Sequence, residues 1–388
     1  MLDREHESRP FFTREHYLFR QSLRKFLQKE AAPYFDQWEK DKLIPRSFWY
    51  QLGQKGFLCP WLDEQYGGLG ADFGFSVILT EELERIGSGL MGISLHCDIV
   101  APYLHYYGTD EQKAKYLPAF TTGEIISAIA MTEPAAGSDL AGIQTTAVKE
   151  GNHYIVNGTK TFITNGTQAD VIIIACKTDP KASPAHKGLS LLLIDKNTPG
   201  FNRGQKLEKM GHYSSDTAEL FFDQAVVPAE NLLGEEGKGF FYLMERLQQE
   251  RIIAALNAQI AAEEMYRLTM DFIKNREVFG KPLSQFQNTH FVMAEIATEI
   301  TLGRKFLDVL ISQHMNGKEI ETEVSMGKWW ITEMAKRLAG KCMQLHGGYG
   351  YMEEYKIARR YRDIAVTTIF AGSTEIMKKI IAKNIGLS

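Results

Sequence analysis

From Phe241 to Phe279 the chain runs for about forty residues without a glycine or a proline. No other feature limits the possible folds as much. A helix of that length exceeds the globular average and cannot cover its own surface. It must bridge parts of the molecule or sit in a bundle. Apolar residues at helical spacing also run through 14–127, as in REHYLFRQSLRKFLQKEAAPYF, with breaks at points such as Tyr66-Gly67-Gly68.

Between these helical blocks the pattern changes. VIIIACK, GLSLLLID and AELFFDQAVVP, the last closed by Pro228, read as strands rich in branched residues. Asn157-Gly158, set between HYIV and TKTFIT, predicts a tight hairpin, and Asn165-Gly166 a second turn. The expected class is mostly α with a β insert. Its parts are an N-terminal helical domain over 1–127, a middle β domain over 128–235 and a C-terminal helical bundle over 236–388.

Composition removes several functions. A net charge of −4 gives no bulk attraction to nucleic acid or to an anionic membrane. No window approaches the ~18 apolar residues of a membrane span. Cys59, Cys97, Cys176 and Cys342 form no CxxC pair, so neither a metal centre nor a disulfide framework is expected. MLDREHESRP resembles neither a secretory signal nor a transit peptide. The expected location is the cytoplasm, or the mitochondrial matrix if a transit peptide has been removed.

Some motifs match by letter only. Gly87-Ser88-Gly89-Leu90-Met91-Gly92 follows a helical pattern, whereas a dinucleotide fingerprint follows a strand. GEEGKG (234–239) lacks P-loop spacing, and neither GxSxG nor HExxH occurs.

AIAMTEPAAGSDL (128–140) is different. It is dense in small residues and hydroxyls, and Pro134 and Gly137 keep backbone groups out of regular structure and free to face a ligand. This segment resembles a signature of the acyl-CoA dehydrogenase family. Similarity continues in register through KTFITNG (160–166), KMG…SDTAELFF…VPAENLLG (209–234), NREVFGKPLSQFQ (275–287) and QLHGGYGYM (344–352). Within the family the long-chain type is matched best.

The resemblance implies a middle β-barrel domain and a C-terminal four-helix bundle. FAD would lie between them, with a second subunit holding part of it. Ile129, Met131, Thr132, Gly137 and Ser138 match flavin-wrapping positions, as do Phe162, Ile163 and Thr164. Arg276, Phe279, Gln287 and Gln344, Leu345, His346, Gly347 and Gly348 match positions that hold the ADP half across a subunit interface. Ser373, Thr374 and Glu375 match further cofactor contacts. Ser138, Ala185, His186, Phe241, Gln248, Gln249, Arg251, Ala371 and Gly372 match substrate contacts. An acyl-CoA substrate, an electron-transfer flavoprotein as acceptor, and a homo-oligomer follow from the same resemblance; the oligomer would be a tetramer, or a dimer at the least.

Dehydrogenation of a thioester needs a carboxylate to take the α-proton. Many family members carry it just before a Gly-Thr pair near the C-terminus, where IFAGSTEI (369–376) has Ala371. The long-chain and isovaleryl types place a glutamate on an earlier helix before an arginine, which matches Glu250-Arg251. Spacing adds to this. Glu250 lies seven residues after Leu243, three after Leu247 and four before Ala254, on one apolar helix face. A carboxylate there needs a partner or a task. By spacing alone, a surface pair with Arg246 serves equally well. The region MGISLHCDIVAPY (91–103) is expected to floor the acyl pocket, with His96 and Asp98 as groups able to shorten it. A long- or medium-chain dehydrogenase of fatty-acid β-oxidation is the principal reading. An isovaleryl-like enzyme, an oxidase, a monooxygenase or a non-catalytic acyl-CoA binder are the alternatives.

Overall fold

The computed structural model describes residues 9–387. Most of the decapeptide read for targeting therefore lies outside the described residues. Seven helices come first: α1 (Arg14–Glu30), α2 (Phe35–Asp41), α3 (Arg46–Gln54), α4 (Phe73–Ile86), α5 (Met91–Ser94), α6 (Ala101–Tyr107) and α7 (Asp110–Thr122). Between α5 and α6 the backbone widens into a π-helical stretch over Leu95–Val100. Such widening is common beside functional sites.

The β region holds β1 (Ser127–Ala130), β2 (Thr146–Glu150), β3 (His153–Thr164), β4 (Val171–Lys177), β5 (Leu189–Asp195), β6 (Phe201–Lys206), β7 (Thr217–Pro228) and β8 (Leu232–Leu233). Strand order is β6-β7-β3-β2-β4-β5-β8, with β1 parallel to β4. Among the described residues this path ends at β6 and β8 without closing into a ring, so the barrel implied by the resemblance is an open sheet here. Its short last strand, β8, pairs with β5 alone.

The apolar run VIIIACK is buried on both faces, as its composition requires. Val171, Ile173 and Ala175 face the helical core, while Ile172, Ile174 and Cys176 face a second core inside the β region.

One turn expectation fails. Asn157-Gly158 makes no hairpin, because β3 runs straight through it. A register shift in pairing with β7 absorbs the irregularity, and the Asn157 side chain accepts from the Gln224 backbone N–H. The β2–β3 hairpin instead turns at Gly151, with φ +59°. Asn165-Gly166 does turn, and Gly166 N–H donates to Ile163 C=O at 3.0 Å.

The long run forms α8 (Gly239–Asn275), a single helix of 37 residues. From Arg251 to Ala262 every residue is buried, the mark of a helix enclosed on all sides. Around and after it lie the small hairpin β9 (Glu277–Val278) and β10 (Lys281–Pro282), then α9 (Gln287–Met315), α10 (Glu321–His346), α11 (Lys356–Asp363) and α12 (Thr374–Asn384). Gly239 lets α8 start against β5; a Cβ there would stand 2.7 Å from the Ser190 carbonyl carbon. No helix among the described residues is long and apolar enough to cross a membrane.

Candidate active site

Three structural layers meet around one cavity of about 130 Å³. Ile129, Met131 and Thr132 come from β1 and the loop after it. Phe162, Ile163 and Thr164 come from the end of β3, and Glu250, Ile253, Ala254 and Asn257 from α8. Phe370 and Ala371 close it from the loop before α12, and Met91, Leu95 and Ile99 floor it from α5 and the π stretch. Residues separated by more than two hundred positions are thereby brought to one space, as the resemblance implied.

The β-side wall is held by a buried ion pair. Lys160 donates to the Met131 carbonyl at 3.0 Å and to Glu133 at 2.8 Å. Glu133 also accepts from the Gln144 and Thr145 backbone N–H groups. Burial works against its charge, yet Lys160 and these bonds keep its carboxyl below the usual range. Thr161 N–H donates to the Thr132 carbonyl. Next along the strand, Phe162 has φ +60° and is 69% exposed in this chain. An exposed aromatic in left-handed backbone is strained, and such strain gathers at ligand sites.

Among the described residues, Glu250 is the one carboxylate that lines this cavity. Its Oε2 is buried without a hydrogen-bond partner, while part of the side chain reaches the cavity. Burial lifts its pKa to about 6, against the pull of the Arg251 and Lys328 cations. The alternative pair with Arg246 does not form. Arg246 instead donates to Tyr107 and Glu245 and stacks over Tyr106 at 4.1 Å. Arg251 is buried, and its nearest carboxylate, Glu321, is 3.9 Å away.

Other expected contacts fall elsewhere. Gln248 bonds to His314, to the Lys318 carbonyl and to Ile320 N–H, and Gln249 donates to the Asp98 carbonyl. His186 and Phe241 do meet, with ring centroids 5.8 Å apart, and Ala185 precedes His186 on one short turn. Gly137 and Ser138 sit exposed in the loop after β1 and outside the cavity lining. Ser373 caps α12, Thr374 donates to Glu333, and Glu375 is exposed. Gly372 accepts a hydrogen bond from Lys328.

His96 and Asp98 belong to the floor's helix but not to the cavity lining. His96 is turned away, bonded to Ser127 and the Phe120 carbonyl. Asp98 is buried and neither carboxylate oxygen has a hydrogen-bond partner; burial raises its pKa to about 7.

A second cleft of about 590 Å³ is lined by Arg276, Gln344, Leu345, His346, Gly347 and Gly348, among others. It is the larger of the two, yet the smaller cavity holds the perturbed carboxylate and is the better candidate for chemistry. The Arg276 guanidinium lies 5.3 Å from the Tyr349 ring centroid. A Cβ on Gly347 or Gly348 would meet nothing of this chain within 4 Å, so both backbones face open space. Gly347, at φ +58° and ψ −139°, adopts a conformation suited to glycine. Open backbone beside an arginine suits a pyrophosphate. Phe279, 95% exposed on the β9–β10 turn, and Gln287 at the start of α9 lie outside this cleft.

Lys328 does not line the cavity but donates to the Gly372 carbonyl next to Ala371, and the sequence did not single it out. The signal was present: Val324, Ser325, Lys328, Ile331, Thr332 and Ala335 form one buried stripe on α10.

Three family models match the chain in order. They are the acyl-CoA dehydrogenase N-terminal domain over 13–124, the middle domain over 128–225 and the C-terminal domain over 237–386. Long-chain specific acyl-CoA dehydrogenase of Sus scrofa is 44% identical over 97% of this chain and 88% of its own. Isovaleryl-CoA dehydrogenase of Pongo abelii is 36% identical over 94% of this chain and 87% of its own. The crystal structure of an acyl-CoA dehydrogenase from Geobacillus kaustophilus superposes with a TM-score of 0.97 at 64% identity, covering 97% of this chain and 99% of that one.

Proposed function

The chain belongs to the acyl-CoA dehydrogenase family, and on that premise we propose that it converts long- or medium-chain acyl-CoA to trans-2-enoyl-CoA with Glu250 as base. It is an FAD-dependent oxidoreductase acting on acyl-CoA. When bound, FAD supplies the acceptor that takes the β-hydrogen as hydride.

The carrying observation is the Glu250 carboxylate. It lines the cavity with one oxygen unpartnered, while Ala371, which lines the same cavity, occupies the position where the resemblance puts the base of other members. A free carboxylate with a pKa of about 6 is ionised at neutral pH and basic enough to take the α-proton. The β-side wall (Met131, Thr132, Phe162 to Thr164) would hold the flavin ring. The second cleft, which shares no residue with the cavity, would hold the ADP half of the cofactor bound by a second copy. That arrangement supports a homo-oligomer, a dimer at least and a tetramer by family resemblance. An electron-transfer flavoprotein would reoxidise the enzyme, which we place in fatty-acid β-oxidation.

Overall similarity to the porcine long-chain enzyme and the apolar floor of Met91, Leu95 and Ile99 support longer straight chains. A second reading, an isovaleryl-like enzyme acting on short branched chains, draws on the 36% identity to isovaleryl-CoA dehydrogenase. Anaerobic titration of the flavin spectrum with acyl-CoAs of graded length decides between them. Bleaching driven best by long straight chains supports the first, and bleaching by short branched esters alone supports the second. A flavin that never bleaches overturns both, and rapid oxygen consumption during turnover identifies an oxidase.

A further inference from the structure

Lys328 is fully buried on α10, and its ammonium donates to the Gly372 carbonyl at 2.6 Å. No other hydrogen-bond acceptor takes it among the described residues. A lysine is rarely buried without a partner carboxylate in bonding contact. The carbonyl it holds belongs to an unusual turn. Ala371 and Gly372 are consecutive left-handed residues, with φ +52° and +87°. Alanine disfavours that conformation, and it persists only when surrounding contacts fix it. Phe370 and Ala371, just before that carbonyl, line the same cavity as Glu250. The Lys328 ammonium is also 5.9 Å from the centroid of the Phe370 ring.

We infer that Lys328 is a positioning residue of this site: its bond to the Gly372 carbonyl fixes the Phe370–Gly372 wall, and its cation supports the ionised state of Glu250. This rests on Glu250 being the base. The charged neighbours can be named from each element. Arg251 adjoins Glu250 on α8, Lys328 faces both from α10, and the Tyr103 hydroxyl approaches Glu250 from α6. Glu333 on α10 and Glu375 on α12 flank Lys328. Burial lowers the Lys328 pKa to about 8, leaving it cationic over the acidic half of the working range. There it opposes protonation of Glu250. Removing the cation therefore makes Glu250 harder to ionise.

The test uses the full-length flavoprotein carrying Lys328→Met, Lys328→Gln or Lys328→Arg. Met removes charge and bond, Gln can keep a donor without charge, and Arg keeps both. For Met, kcat should fall by roughly tenfold or more through misplacement of the wall. For Met and Gln, the ratio of kcat/KM at about pH 6 to that at about pH 8 should fall by roughly fivefold, because the acid limb moves up. Arg should restore that ratio to the wild-type value. A loss of packing alone would not move the limb. Should the Met variant not fold, Gln against Arg makes the same comparison. Wild-type limbs in both Gln and Arg, with Glu250→Gln inactive, overturn the role of Lys328 while leaving Glu250 as base. An active Glu250→Gln overturns the underlying reading instead.

Discussion

Glu81, fully buried, and Glu250, partly buried at its cavity, have opposite surroundings. Glu81 on α4 lies where the N-terminal helices meet the bundle. Arg9 at 2.7 Å, Arg20 at 2.5 Å and Arg304 at 2.8 Å converge on its two oxygens. Burial pushes its carboxyl up, and these arginines together pull it well below the usual range. Glu250 is set among apolar residues of α8 with Oε2 unpartnered, and burial prevails. The first group is fully answered and serves to join helices. The second is left unanswered, so its free lone pair is available to a substrate proton. The contrast separates a carboxylate whose partners are complete from one left unpartnered at a cavity wall.

The sharpest way to break the comparison is to neutralise each group. Glu250→Gln should keep bound flavin and acyl-CoA affinity yet lose turnover by at least about a thousandfold. Stopped-flow reduction of the flavin measures this, and near-normal reduction would move the base elsewhere, with Glu375 the next candidate. Glu81→Gln should do the reverse. It leaves the buried Arg20 and the partly buried Arg9 and Arg304 facing a neutral amide. A loss of about 3–5 kcal/mol in denaturant unfolding is expected, with the pH profile of the remaining folded enzyme unchanged.

Acid separates the two groups next. The base must be ionised, so kcat/KM should be level above about pH 6 and fall nearly tenfold for each unit below, following Glu250. Glu81 has a depressed pKa. Its contribution to stability is present above the unfolded-state pKa and is lost only as pH falls through the lower folded value. Between about pH 5 and 6 the enzyme should therefore lose activity while circular dichroism shows the fold intact. Loss of both together would merge the two regions into one titration.

How much of this contrast could be read from sequence differs by element. The long helix and the β insert were legible, because glycine spacing and branched residues are local signals; Glu250 was singled out through the family resemblance, since its spacing alone fitted a pair with Arg246 equally well. Asn157-Gly158 misled because a turn dipeptide also fits a bulge, and only the partner strand β7 decides which forms. Acidic and basic residues on α1 and α4 look like solvated helix faces until the chain folds. Arg304 reaches Glu81 from 223 positions away, a distance no window in the sequence covers. The α10 stripe marks Lys328 as buried, but its partner lies 44 residues later in a loop with no periodicity of its own.

The smallest expected effect runs against intuition. In the folded protein the Glu250 pKa is raised from 4.5 to about 6, so folding favours its neutral form. For a carboxyl raised in this direction the ionised state is penalised. The penalty is absent below the unfolded-state value, grows as pH rises between the two, and is complete above about pH 6. Glu250→Gln removes it. The inactive variant should thus be more stable than the wild type at neutral pH, by on the order of 1–2 kcal/mol, and no more stable near pH 4. Unfolding curves at the two pH values measure the difference directly. A variant that gains nothing at neutral pH would mean that Glu250 is as well answered as Glu81. The strain stored in the unpartnered base, and with it the contrast between the two glutamates, would then be absent.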